Sequence, residues 1–363
     1  MVNGFISSWI NLENHSWSAQ VLRVAAYAGL VGVLMVGGGR TVVAGPPDKV
    51  VRAGGGSPIE IQIDKYGFEW CVVGDINNPP FPGNRQTGAF KGAGVVPYRY
   101  RITRTEIPIG AITEFLEAYA PFYDRDVRSA EYTGILILAG WDGDHWIFSG
   151  GNGMDGVPAP LSPEQAARFC NWLHNGKVNE EWAFLTGAYD ATTFTRNEDG
   201  SYNDDFTVLP GARYWIPNMD EYLKAVYYDP NRWGPSRGGW WNYPNASEVP
   251  LVPGLPFISL EAGDGAETNA GLEPQGYRGP IWTSGAFPWV QSPWGLLDAS
   301  GGTQEMGLPF AWGSSFWSAN DNHVAFQDSA GERGSNVLDT PNAGSGDYGF
   351  RLVSSAFMRV NGR

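Results

Sequence analysis

The chain is 363 residues long and holds 49 glycines, 26 prolines and 16 tryptophans, with a formal net charge of −14. Hydrophobic residues at 42% supply a sizeable core, which excludes wholesale disorder, and glycine follows no G-x-y period, which excludes collagen. The acidic excess and the lack of any Lys/Arg-rich run exclude a nucleic-acid partner, whose phosphates demand a basic stripe; such a charge suits a secreted protein, or carboxylates that hold calcium.

The N-terminal region reads separately from the rest. Residues 24–39 (VAAYAGLVGVLMVGGG) form an uncharged apolar run between Arg23 and Arg40. The run is short for a membrane-spanning helix, which needs about 20 apolar residues. Val42 and Ala44 suit the −3 and −1 positions of a signal-peptidase site. Residues 1–44 are therefore expected to be a signal peptide or signal anchor, residues 45–58 a Gly/Pro-rich linker, and residues 59–363 one domain. A secreted, periplasmic or cell-surface location follows, with no stable transmembrane segment unless the leader is retained.

Along the domain, residues 59–75 alternate and then run apolar, as a strand does, and residues 95–102 read as a second strand with Tyr98, Tyr100 and Ile102 on one face. Ile112, Phe115, Leu116 and Tyr119 recur at helical spacing and predict a helix over 109–120. A second helix starts at Ser162-Pro163-Glu164-Gln165, where Ser162 and Gln165 make a capping box, and stops at Gly176. A third runs from Asn218, with Glu221 three residues on, to Tyr227. After residue 230 no helical period survives, and Gly, Pro, Trp, Asn and Ser dominate. The fold class is α+β: a few helices beside small antiparallel sheets, with a loop-rich C-terminal half.

Several motifs fail on their context. Gly151 to Gly156 matches G-x-G-x-x-G, but no helix signal follows it to hold a phosphate. Asp142-Gly143-Asp144 reads as a turn, and Gly153 stands where an EF-hand loop starting at Asp142 would need Glu. Cys71 and Cys170 lie too far apart for C-x-x-C chemistry and fit buried small hydrophobes somewhat better than a disulfide.

Taken in order, a set of short motifs resembles the formylglycine-generating enzyme (sulfatase-modifying factor) family, which has a C-type-lectin-like fold. Residues 98–106 (YRYRITRTE) are similar to the strand leading into the family's E-V-T-N helix start, and 114–118 (EFLEA) to its F-L-N-A. Residues 166–173 (AARFCNWL) resemble A-x-x-F-x-N-W-L, and 216–222 (IPNMDEY) resemble L-P-T-E-x-E-W. Residues 292–301 (SPWGLLDASG), 313–316 (GSSF) and 349–352 (GFRL) are similar to S-P-Y-G-L-Y-D-M-S-G, G-G-S-W and the terminal G-F-R. The resemblance spans residues 66–356 and points to a bacterial, secreted branch.

The resemblance implies a copper site of two cysteine thiolates shortly after G-G-S. Here Ser318 and His323 stand at those places, and a soft copper(I) site cannot be built on a serine hydroxyl. Copper is therefore not expected, and a pseudoenzyme is. The family's calcium motif G-N-V-W-E-W corresponds to residues 301–306, where Glu305 keeps the carboxylate and Gly302 replaces Asn. Calcium held by Glu305 with the backbone of Gly302 and Thr303 stays open.

The expected function is a non-catalytic binding or structural module that contacts protein or carbohydrate through aromatic loops. Trp233, Trp240, Trp241, Trp282, Trp289, Trp312 and Trp317 are the candidate anchors, about half of them packing inward. The ligand-binding candidates at the family's site are Trp312, Ser315, Trp317, Ser318, Asn320, Asn322 and His323, with no catalytic residue. An enzyme of the same family with altered chemistry, and a cell-surface or assembly protein, are the alternatives.

Overall fold

The computed structural model describes residues 59–122, 137–144, 146–150, 153–195, 204–255, 265–272, 283–315, 318, 327–334, 336–338 and 348–355. The chain divides into two units, Met1–Pro47 and Asp48–Arg363. The expected leader and the 45–58 linker lie outside the described residues.

The first expected strand is a hairpin, β1 (Ile61–Ile63) and β2 (Glu69–Val73). The Asp64 carboxylate accepts from the backbone N–H of Tyr66 and of Phe68 and so folds the turn between them. The second strand, β3 (Tyr100–Thr103), starts later than its sequence pattern, because Pro97 has no N–H to give a ladder. With β11 (Val353–Ser355) these make an antiparallel sheet in the order β1-β2-β3-β11. The pleat sends Trp70 into one buried cluster and Cys71 and Val73 into another.

The first cluster holds α1 (Ile109–Tyr119) and α2 (Pro163–His174). In α1 the buried positions include Ile112, Phe115, Leu116 and Tyr119, as the spacing predicts. In α2 both bonds of the Ser162–Gln165 capping box form, and Gly176 follows the helix at φ +77°. A short α3 (Glu181–Leu185) has no counterpart in the sequence reading, since five residues are too few to show a period.

The second cluster is built on α4 (Met219–Tyr227), which buries Tyr222, Leu223, Val226 and Tyr227 and starts on the Asn218–Glu221 capping box. A hairpin of β4 (Ile137–Trp141) and β5 (Trp146–Gly150) encloses the Asp142–Gly143 turn, where Asp142 accepts from the N–H of Asp144 at 2.8 Å. Beyond α4 the described strands are two to four residues long. β6 (Tyr228–Asp229) pairs with β7 (Gly239–Trp240). A second sheet has the order β10-β8-β9, from β8 (Gln304–Gly307), β9 (Phe310–Trp312) and β10 (Tyr348–Phe350), with β10 parallel to β8. The fold is thus mixed α+β with few helices and small, mainly antiparallel sheets. Cys71 and Cys170 are both buried free thiols, in separate clusters.

Candidate functional site

The sequence points first to the stretch from Trp312 to His323, and the described part of it is turned inward. Trp312 is fully buried, stacks on Tyr222 at 5.8 Å and donates its indole N–H to the Gly307 carbonyl. It is a core residue, one of the tryptophans that pack inward. Ser315 and Ser318 are buried too: the Ser315 N–H donates to Ser318 Oγ at 2.9 Å, and that hydroxyl donates to Gln327 Oε1 at 2.8 Å. Next to them lies Asp328, a buried carboxylate that accepts from the Ser314 N–H at 2.8 Å and from the Ser300 hydroxyl at 2.6 Å. Burial pushes its carboxyl up to about 6. It stitches the turn after β9 to the interior. Trp317, Asn320, Asn322 and His323 lie outside the described residues.

The donor set expected for calcium is engaged otherwise. The Glu305 carboxylate is gripped by both arms of the Arg351 guanidinium, at 2.6 Å each. Thr303 donates its N–H to Glu106 Oε1, and Gly302 donates its N–H to Asn269 Oδ1. Burial, opposed by Arg351, pushes the Glu305 carboxyl up, and burial reinforced by Glu305 does the same to Glu106. A carboxylate already neutralised by a bidentate guanidinium is a poor calcium ligand. Gly302 sits at φ +58°, and a Cβ there would lie 2.6 Å from Glu106 Oε2, so the asparagine of the family motif has no room. Among the described residues no group of three or more His, Cys, Asp or Glu side chains is placed to hold a metal.

Of the tryptophans expected as anchors, Trp240 and Trp312 are buried, Trp241 is half-buried, and Trp233 and Trp289 are each 59% exposed. Trp282 and Trp317 lie outside the described residues. Arg232 stacks between Trp233 and Trp241, its guanidinium 4.4 and 4.3 Å from the two ring centroids.

A better-formed site lies elsewhere, at the end of the four-stranded sheet. A cavity of about 630 Å³ is lined by Gly74, Asp75 and Ile76 after β2, Pro97, Tyr98 and Arg99 before β3, Trp215 before α4, and Ser355 in β11. This lies within the ~300–1,000 Å³ span of small-molecule sites. Its two aromatic walls are tied to one buried carboxylate. Glu221 Oε1 accepts from the Tyr98 hydroxyl at 2.8 Å and from the Trp215 indole N–H at 3.0 Å. Glu221 Oε2 accepts from the Asn218 N–H at 2.9 Å, which closes the capping box of α4. Burial pushes the Glu221 carboxyl up to about 7, with the hydrogen bonds opposing.

The floor beside the rings is fixed just as firmly. Asp75 adopts φ +52°, a left-handed conformation that Asp tolerates better than most residues. Its carbonyl accepts from the Lys224 ammonium at 2.9 Å, and its Oδ2 from the Tyr228 hydroxyl. Burial lowers the Lys224 pKa to about 8, with Asp75 opposing. At the rim, Arg99 pairs with Glu60 at 2.5 Å. Tyr98 and Glu221 were legible in the sequence only as a strand face and a helix cap. Nothing local links Tyr98 to Trp215, which stand on separate connections and meet through the fold.

The fold and this site define a mixed α+β protein with a rigid, aromatic-walled groove. No family model matches the chain, and no curated protein matches its sequence. Among solved structures it is similar to PvdO from Pseudomonas aeruginosa, at 14% identity and TM-score 0.40, covering 82% of this chain and 99% of that one. It is similar to CarF at 16% identity and TM-score 0.38, covering 79% of this chain and 98% of that one. It is also similar to Treponema denticola variable protein 1 at 14% identity and TM-score 0.36, covering 79% of this chain and 95% of that one.

Proposed function

We propose that the chain is a secreted, non-catalytic binding module, built on a sulfatase-modifying-factor-type, C-type-lectin-like fold, that receives a protein or carbohydrate ligand in the groove between Tyr98 and Trp215. One observation carries the reading: the polar edges of both rings are tied to the same buried Glu221 carboxylate. The rings are thereby locked before any ligand arrives, which removes much of the ordering cost of binding. The fold and the secretion rest on the motif order and the leader in the sequence. The non-catalytic character rests on Ser318, which stands where the resembled enzymes have a thiolate and whose hydroxyl here bridges Ser315 and Gln327.

The test is capture by the full chain from arrayed peptides and glycans, compared with Ile76→Lys, which places a charged chain in the groove at a residue 57% exposed and so spares the core. Retained ligands that the variant loses support the reading, and capture unaffected by the variant overturns the groove. Copper-dependent oxidation of a Cys-x-Pro-x-Arg peptide by the chain would overturn the non-catalytic assignment.

A further inference from the structure

We infer that the ligand of the Tyr98–Trp215 groove is a neutral carbohydrate, an inference that rests on the binding reading above and narrows it. The first argument is what the rings offer. With the Tyr98 hydroxyl and the Trp215 N–H turned to Glu221, the groove is left with their carbon faces. A partner must bring an apolar face of its own, as a pyranose does with its ring C–H groups.

The second argument is what the backbone withholds. A peptide laid along a groove is held by main-chain hydrogen bonds. Here the Trp215 N–H and carbonyl are both paired with Val353, at 2.9 and 2.7 Å. The Asp75 carbonyl is taken by Lys224, and Pro97 has no N–H. At Trp215, Asp75 and Pro97 the walls therefore withhold main-chain partners that an extended peptide would use.

The third argument is the polar rim. Asp75, Arg99 and Ser355, which carry a carboxylate, a guanidinium and a hydroxyl, are among the residues that line the same, mainly apolar cavity. They supply acceptors and donors together, which suits hydroxyl groups that both give and receive. Arg99 is paired with Glu60, and Asp75 stands beside the Lys224 ammonium, so the two carboxylates and two cations balance and no net charge is left to select an ionic ligand. Apolar walls with a few convergent polar groups are the composition of a small-molecule site. In a groove of about 630 Å³ the matching ligand is amphipathic, hydroxylated and uncharged.

The experiment is binding of the full chain to arrayed neutral, sialylated and sulfated oligosaccharides and to a displayed peptide library, followed by titration calorimetry on the hits. The chain is compared with Asp75→Asn, which keeps an acceptor for Tyr228, and with Ile76→Lys. Unchanged thermal midpoints establish that both variants fold. The expected result is binding of neutral glycans, weakened about tenfold or more by Asp75→Asn, the scale of one hydrogen bond to a charged group, and abolished by Ile76→Lys. Retention of only charged glycans, or of peptides that Ile76→Lys blocks, overturns the carbohydrate assignment and leaves the binding module standing. Neutral glycans bound equally by all three proteins overturn the groove itself.

Discussion

Glu221 gathers three donors on one carboxylate that water does not reach: the Tyr98 hydroxyl, the Trp215 indole and the Asn218 N–H. Burial raises its pKa from 4.5 to about 7. Between those values the unfolded chain has released the proton and the native chain keeps it. The contribution of Glu221 to stability is therefore whole below pH ~4.5 and is lost as pH rises through about 7. Asp298 and Asp328, pushed by burial to about 6, slope the same way. Glu221→Gln is nearly isosteric. Its carbonyl serves Asn218 and Trp215, and its amide donates to the Tyr98 oxygen. Urea unfolding between pH 5 and 8 is expected to show wild-type stability falling with pH, and the variant falling less by about 1–3 kcal/mol across that window. Parallel slopes in the two proteins would place the proton elsewhere.

The helices are where local rules govern most directly. The predicted capping box at Ser162–Gln165 forms with its side-chain and backbone bonds, and Asn218 and Glu221 make a second at the predicted start of α4. Ser162→Ala and Asn218→Ala are each expected to cost about 1 kcal/mol in urea unfolding. Asn218→Ala should also weaken ligand binding, because its side-chain oxygen accepts from the Glu221 N–H and so fixes the first turn of α4 that carries the carboxylate under the groove, whereas Ser162→Ala should leave binding unchanged. Equal effects on binding would separate the α4 cap from the site. The period at Ile112, Phe115, Leu116 and Tyr119 is a local property of the chain, so it was visible in the sequence. The five residues of α3 carry no such period, and the turn at Asp64 depends on a side chain that the apolar pattern does not show. The site was hidden for a different reason. Ser315 and Ser318 read as a polar loop because polarity was all the sequence offered. The Ser318 hydroxyl then satisfies that polarity internally, accepting from the Ser315 N–H and donating to Gln327, a partner the fold brings to it. The groove joins residues that follow β2, precede β3, lie in β11 and lead into α4, a set that no spacing rule selects.

At the scale of the whole molecule, Arg351 joins the two larger sheets. It stands between β10 and β11 and is fully buried. Its guanidinium holds Glu305 in β8, the Thr103 carbonyl of β3 at 3.2 Å, and the Arg104 and Leu297 carbonyls at 2.6 Å each. One cation thus neutralises a buried carboxylate and satisfies three carbonyls from two separate segments, the work that a bound metal ion does in other proteins. A lysine is a point charge on a single stem and cannot span that set. Arg351→Lys is expected to lose about 3–5 kcal/mol, the cost of breaking a buried pair and stranding its partner. Because the guanidinium already occupies the Glu305 oxygens, the native thermal midpoint should be the same in chelator and in millimolar calcium. An ion that binds only the native state at a hundred times its Kd would add about 2.7 kcal/mol, which a melting curve resolves easily. A calcium-dependent rise in the wild-type midpoint would show that the ion competes with Arg351 for Glu305. A rise confined to Arg351→Lys would instead show that removing the internal cation uncovers a metal site.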